Sequence, residues 1–195
     1  KNLIKNLLNK KNKKTFIIAE IGNNHNGSLK LAKKMIIAAK KNGADCVKFQ
    51  TFSTNSLFSK KSFVSNVKLK KDSDKYTLKP NDFKILRNFS KKNKIEFSAT
   101  PFSKNEVDFL IDDLKLNFIK IASMDINNYP LIEYIAKKKI PIVLSTGFGS
   151  KDEIIKAVKI IKKYKSKLIV LHCVSNYPPK NSELNLNRIS TLEKI

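Results

Sequence analysis

A parallel α/β fold, closed as a TIM (β/α)8 barrel of which this chain covers about the first six βα units, is predicted by three observations. Short β-rich apolar runs alternate with segments of helical periodicity, and strands alternating with helices imply a parallel sheet. Polar residues stand at or just beyond the C-terminal ends of these runs: Glu20, Lys48, Gln50, Thr100, Lys120, Ser123, Ser145 and Ser175. In a barrel those ends converge on one face, whereas an open doubly wound sheet gathers its ligand groups at a single switch point. No dinucleotide fingerprint accompanies the first turn. Gly22 and Gly27 in IGNNHNG lack the GxGxxG spacing, and no GxxxxGK follows any strand.

Taken in order, Phe16 to Ile21 reads as strand one. The helix Ser28 to Asn42 carries Leu31, Met35, Ile36 and Ala39 on one face, with Ser28 as its cap and Gly43 as its stop. Asp45 to Thr51 is strand two, Pro80 to Asn93 a helix with Phe83, Leu86 and Phe89 on one face, and Ile95 to Thr100 strand three. Ser103 to Leu114 is a helix opened by the capping-box pair Ser103 and Glu106. Phe118 to Ala122, Pro141 to Ser145 and Lys167 to Cys173 are strands four to six, separated by helices at Tyr129 to Lys138 and Ser150 to Tyr164. The polar stretch between Thr51 and Pro80 reads as a loop over the barrel mouth rather than a domain of its own.

The 195 residues are 41% apolar, which fits a globular chain. A complete eight-unit barrel takes roughly 250 residues, so a fragment of a longer protein is expected. Lys1 to Lys14 is expected to be a basic tail, its four apolar residues too scattered among Lys and Asn for a signal sequence. No apolar run approaches the roughly 18 residues that span a bilayer. Cytoplasmic location and no membrane partner are the expectations. The net charge of +24 favours anionic partners. Its lysines fall on the polar faces or ends of helices, there is no Trp, and only two of the 40 basic residues are arginine. That pattern argues against nucleic acid as a partner, because base stacking and bidentate contacts lack their side chains.

Period two sets Lys48 and Gln50 on one side of strand two and Val47, Phe49 and Thr51 on the side that packs on helices. A buried lysine needs a carboxylate or a bound anion. Glu20, on the neighbouring strand, offers the purely structural partner. Lys120, between Ile119 and Ile121, repeats the situation on strand four. Two inward cations sharing one mouth ask for a multiply charged ligand, phosphorylated or carboxylated. Cys46 and Cys173, without CxxC or histidine spacing, read as buried small residues. His172 reads as a hydrogen-bonded, barrel-lining residue of strand six. For His25, in the loop Asn23 to Gly27, turn-stabilising and substrate-contacting readings both stay open. Neither histidine has a carboxylate at ligand spacing, so no complete metal site is expected within the chain.

Six segments at βα spacing carry a resemblance: IIAEIGNNHNGS (17 to 28), GADCVKFQTF (43 to 52), FSATPF (97 to 102), FIKIASMDINNYPL (118 to 131), PIVLSTG (141 to 147) and LHCVSNYP (171 to 178). In this order they resemble the N-acetylneuraminate (sialic acid) synthase family, with VKFQT and AEIGNNHNG closer to its sialic and legionaminic acid branch than to the pseudaminic one. The resemblance implies that residues 15 to 195 are the N-terminal three quarters of a barrel synthase domain. Such an enzyme condenses phosphoenolpyruvate with an N-acyl-mannosamine-type sugar, giving a nonulosonic acid and phosphate. It also implies a divalent metal, Mn²⁺ or Mg²⁺, held by histidines after Ile195. A homodimer is implied too, in which a small C-terminal antifreeze-like domain completes the site of the partner subunit.

Carried over residue by residue, the resemblance puts phosphoenolpyruvate on Lys48, Thr100, Lys120, Ser123, Ser145 and Ser175. It puts the sugar on Glu20, Gln50, Asp125 and Tyr177, and catalytic roles on Glu20, Lys48, Lys120 and Asp125. Ser175 is asparagine and Asp125 glutamate in some members, so the reach of Asp125 is one methylene shorter. The insertion from Phe52 to Lys79 matches no family motif and is expected to help choose the sugar. Two other readings compete: a Schiff-base aldolase using Lys120 or Lys48, and a noncatalytic anion- or RNA-binding protein.

Overall fold

The computed structural model describes residues 15–57 and 73–195; the expected basic tail, 1–14, and the middle of the insertion, 58–72, lie outside the described residues. The chain divides into two compact units, Lys1–Asn117 and Phe118–Ile195.

In the first unit three parallel strands, β1 (Ile18–Gly22), β2 (Cys46–Thr51) and β3 (Glu96–Pro101), lie side by side in sequence order. Helices α1 (Leu29–Lys41) and α2 (Pro80–Lys92) connect them. In the register, Glu20 pairs with Lys48, Lys48 with Ser98, and Gln50 with Thr100, so these polar residues share one sheet face. The other face is apolar. Phe49 stacks on Phe97 at 5.2 Å between centroids, and Phe83 of α2 meets Phe97 edge-on at 6.5 Å. Each such fully buried side chain contributes about 1.5–3 kcal/mol. Val47, Phe49, Ala32, Ile36 and Leu86 are all 0% exposed, so β2 and its helices share one closed apolar layer.

The helix expected over Ser103 to Leu114 is α3 (Lys104–Asp108), widening into a π-helical turn over Phe109–Asp113. Its capping box is only half formed. Ser103 accepts from the Glu106 N–H at 3.4 Å, but the Glu106 carboxylate does not turn back to its own cap. It accepts from the Phe102 N–H at 2.7 Å, the Ser53 N–H at 3.1 Å and the Ser56 hydroxyl at 2.5 Å. Three donors from just beyond the ends of β3 and β2 outcompete one backbone amide.

In the second unit β4 (Ile119–Ile121), β5 (Ile142–Ser145) and β6 (Leu168–Leu171) form a second parallel sheet in that order. Helices α4 (Tyr129–Lys137) and α5 (Lys151–Lys163) link its strands, and α6 (Arg188–Leu192) follows β6. Ile119, Ile121, Ile142 and Leu144, at most 1% exposed, share one side, and Leu131, Ile132, Ile135, Ile154, Ala157 and Ile161 of the helices are buried with them. Ser150 and Glu153 form the reciprocal capping box that opens α5. Strand six is shorter than its sequence suggests. The ladder ends at the Ser145 and Leu171 pair, and the next residue, His172, bonds instead through Nε2 to the Leu184 carbonyl at 2.6 Å. His172 and Cys173 therefore stand beyond the strand, not within it.

Helix ends repeat one device. Gly43 closes α1 at φ +86°, and the equivalent left-handed positions after four later helical segments are lysines: Lys94, Lys115, Lys139 and Lys165, at φ 54–57°. Sequence reasoning identifies only the glycine, because lysine carries no turn signal.

Candidate active site

Each unit presents an ammonium group at the C-terminal end of its sheet. In the first, Lys48 is 6% exposed. Its Nζ lies 2.5 Å from the Glu20 carboxylate and donates to Thr100 Oγ1 at 2.9 Å. Glu20 itself is 51% exposed, so the pair is buried at its cation and solvated at its anion. Lys48 reaches past Ser98, its register neighbour, to Thr100, two residues further on. Gln50 accepts from the Asn23 side chain at 2.9 Å, which ties the β1–α1 loop to the same face.

The second unit repeats this geometry. Lys120 is 7% exposed. It faces Val143 in register, and its Nζ donates to Ser145 Oγ at 2.5 Å, again two residues further along the neighbouring strand. The Ile121 carbonyl also accepts from it at 2.8 Å. Around Ser145 sit three more small polar side chains. Ser123 Oγ accepts from the Gly147 N–H at 3.1 Å, and the Cys173 thiol donates to Ser145 Oγ at 3.2 Å. A Cβ on Gly147 would lie 2.8 Å from Ser175 Oγ and 3.1 Å from Ser123 Oγ, so only glycine admits this cluster without displacement.

Asp125 ends a 3-10 turn after β4, is 8% exposed and accepts from the Asn128 side chain at 3.1 Å. Tyr177 is 92% exposed, with nothing among the described residues enclosing it. The structure thus brings together Glu20, Lys48 and Thr100 in one unit, with Gln50 on the same sheet face. It brings together Lys120, Ser123, Ser145 and Ser175 in the other.

His25 is buried at 1% exposure, and its Nδ1 accepts from the Gly27 N–H at 3.1 Å. Burial pushes its pKa below the ordinary 6.5, and the neutral ring then carries its proton on Nε2. The turn-stabilising reading is the one this geometry carries. Cys46 is fully buried as expected, and burial, foremost, drives its thiol pKa well up. Cys173 departs from expectation: it is half-buried beside Ser145, because β6 ends two residues before it. Sequence reasoning missed Cys173 and Gly147 as parts of the cluster; the serines in LSTG and CVSN were its only signal.

Chemically, each ammonium–hydroxyl pair is suited to an oxyanion. The hydroxyls of Thr100, Ser123 and Ser145 already accept from protein donors, which leaves their own protons to donate outward. Among the described residues no three His, Cys, Asp or Glu side chains gather as a metal site, and no helix is long and apolar enough to cross a membrane.

The model of the NeuB family matches residues 35–195. The N,N'-diacetyllegionaminic acid synthase of Legionella pneumophila is 38% identical over 91% of this chain and 53% of its own length. The human N-acetylneuraminate-9-phosphate synthase is 35% identical over 92% of this chain and 52% of its own. A crystal structure of the N-acetylneuraminic acid (sialic acid) synthetase of Leptospira borgpetersenii, in complex with citrate, aligns with a TM-score of 0.85 at 38% identity. That alignment covers 92% of this chain and 61% of the solved one. The chain spans about half the length of the curated relatives it matches.

Proposed function

The chain belongs to the NeuB family, and on that premise we propose that it supplies the phosphoenolpyruvate-binding part of a nonulosonic acid synthase. The reaction is the condensation of phosphoenolpyruvate with an N-acyl-mannosamine-type sugar, releasing phosphate. In this reading strands β1–β6 are the first six of an eight-stranded barrel. The observation that carries it is the repeated pairing of a buried lysine with a strand-end hydroxyl, Lys48 with Thr100 and Lys120 with Ser145. Two ammonium groups suit a ligand that bears both phosphate and carboxylate. The solved sialic acid synthetase in complex with citrate, a polycarboxylate, is in keeping with such a site.

Within that site the residues bind and orient. Lys48 and Lys120 hold the two anionic groups in register, while Thr100, Ser123, Ser145 and Ser175 donate to their oxygens. Carbon three of phosphoenolpyruvate then attacks the sugar aldehyde, water adds at carbon two, and phosphate leaves by carbon–oxygen cleavage. Glu20, Gln50, Asp125 and the exposed Tyr177 are assigned to the sugar. The described residues offer no cluster of three metal donors, and in this reading the ligands of a divalent metal are histidines after Ile195. A homodimer of the complete gene product belongs to the same reading.

The Schiff-base alternative needs a neutral lysine nucleophile. Lys48 is held by a carboxylate at 2.5 Å, and Lys120 donates to a carbonyl and a hydroxyl, so each Nζ is already engaged by protein acceptors. The test is phosphate release by the complete gene product with Mn²⁺ or Mg²⁺ and a panel of N-acyl-mannosamine and legionaminic-type sugars. Release that requires both phosphoenolpyruvate and one such sugar supports the assignment. No release with folded protein across the panel, or borohydride trapping of the substrate on a lysine, counts against it.

A further inference from the structure

We propose that Cys173 is a positioning residue for the anion site, acting through Ser145: its thiol fixes the direction in which the Ser145 hydroxyl donates. The inference rests on the phosphoenolpyruvate reading and deepens it. A serine hydroxyl has two acceptor lone pairs and one proton. At Ser145 the acceptor positions are taken by Lys120 Nζ at 2.5 Å and Cys173 Sγ at 3.2 Å. The proton is then left for a third partner, and a bound oxyanion is the acceptor that the site is built to receive. Without the thiol, one lone pair is open and the hydroxyl has a second low-energy orientation.

The placement of Cys173 supports a working contact. It stands two residues beyond the end of β6, outside the ladder that would fix a strand side chain. Its other acceptor, the Leu171 carbonyl, is longer at 3.7 Å and already takes the Thr146 hydroxyl at 2.8 Å. A Cβ on Gly147 would lie 3.3 Å from Cys173 Cβ, so the thiol borders the same small space as Ser123 and Ser175. Cys46, the other described cysteine, is 0% exposed within the sheet and has no such role.

The test uses the complete gene product and separates the two substrates. A thiol is a weak donor, so Cys173→Ala should raise KM for phosphoenolpyruvate only about two- to fivefold, leaving KM for the sugar and the melting temperature nearly unchanged. Cys173→Ser keeps a donor and should return close to the parent value. In a Ser145→Ala background, Cys173→Ala should add nothing, since the effect runs through that hydroxyl. Should Cys173→Ala fold poorly, Cys173→Val fills the volume without a donor and serves in its place. Unchanged KM for phosphoenolpyruvate in the donor-less variants, a serine variant as weak as the alanine one, or an undiminished effect without Ser145 would overturn the inference. A parent protein that turns over normally while these variants fail to respond would leave the functional reading standing. A parent inactive with every sugar would sink that reading first.

Discussion

Lys48 donates to Thr100 from two register positions behind it: the residue opposite Lys48 on β3 is Ser98, yet the bond at 2.9 Å runs two residues further toward the strand end. The lysine stem therefore lies along the strand and delivers its charge to the strand end, while its Cα stays within the paired part of the sheet. Burial of the stem is the apolar contribution, and the head keeps its polar partners.

Replacing either cation should cost binding more than folding. Lys48→Ala and Lys120→Ala should each weaken phosphoenolpyruvate binding by on the order of 2 to 5 kcal/mol, measured by calorimetry on the complete gene product. Glu20→Gln works in reverse. It leaves a buried ammonium with less compensation, costing about 1 to 2 kcal/mol after solvent screening of the exposed carboxylate, and added phosphate should restore more stability to it than to the parent. Melting temperatures that collapse in the lysine variants, with unchanged affinity in the folded fraction, would show the ion pair to be structural only.

Gly147→Ala should be a binding defect of a different kind. Its new methyl overlaps Ser175 Oγ at 2.8 Å and Ser123 Oγ at 3.1 Å, both side-chain ends that can move aside. The fold survives and the donors are misplaced. Gly27→Ala is the control, since there the obstacle is the Lys75 carbonyl at 2.2 Å and φ is +73°. That backbone cannot yield cheaply, and a loss of about 2 to 4 kcal/mol in folding is expected. Chemical denaturation separates the two, and equal stability losses would refute the distinction.

Acid should destabilise the first unit through His25. Its folded pKa lies below the unfolded 6.5 because burial disfavours the charged ring, so the unfolded chain binds more protons once pH drops under that value. Full stability is present above about pH 6.5 and declines as pH falls toward the folded pKa. A His25→Gln variant should lack this component of the slope. An identical pH profile in both proteins would show that His25 is not its source.

The left-handed lysines invite gain rather than loss. Lys94, Lys115, Lys139 and Lys165 adopt positive φ, where a Cβ is penalised and glycine is not. Replacing each with glycine should stabilise by about 0.5 to 1 kcal/mol, after the extra unfolded-state entropy of glycine is subtracted. Thermal melts of single variants check this, and a consistent fall in melting temperature would mean that lysine contacts outweigh the strain.

Most of the scaffold was legible because its signals are local. Helix α1 is bracketed by Ser28 and Gly43, and the strands show as short runs ending in polar residues. Period two along VKFQT separates Lys48 from Phe49. What stayed hidden depends on partners distant in sequence. Glu106 looks like the second half of a capping box until Ser53, Ser56 and Phe102 present it with better donors. Cys173 looks like strand interior until β6 stops at Leu171. Among the proposed site residues, the Glu20–Lys48 pair could be foreseen from adjacent strands, whereas the lean of Lys48 and Lys120 toward Thr100 and Ser145 needed the register itself.

The segment that leaves β2 and returns to α2 is fastened at both ends. Ser53 and Ser56 bond Glu106, Thr54 bonds Asp74, and the Lys75 backbone rests against Gly27 in a space no side chain could share. Whatever length of chain runs between positions 57 and 73, its exit and re-entry points are set by residues outside it. Doubling that length adds only about 0.6 kcal/mol of closure entropy. A change of length between those points therefore costs little and leaves the anchoring bonds at Ser53, Ser56 and Thr54 where they are.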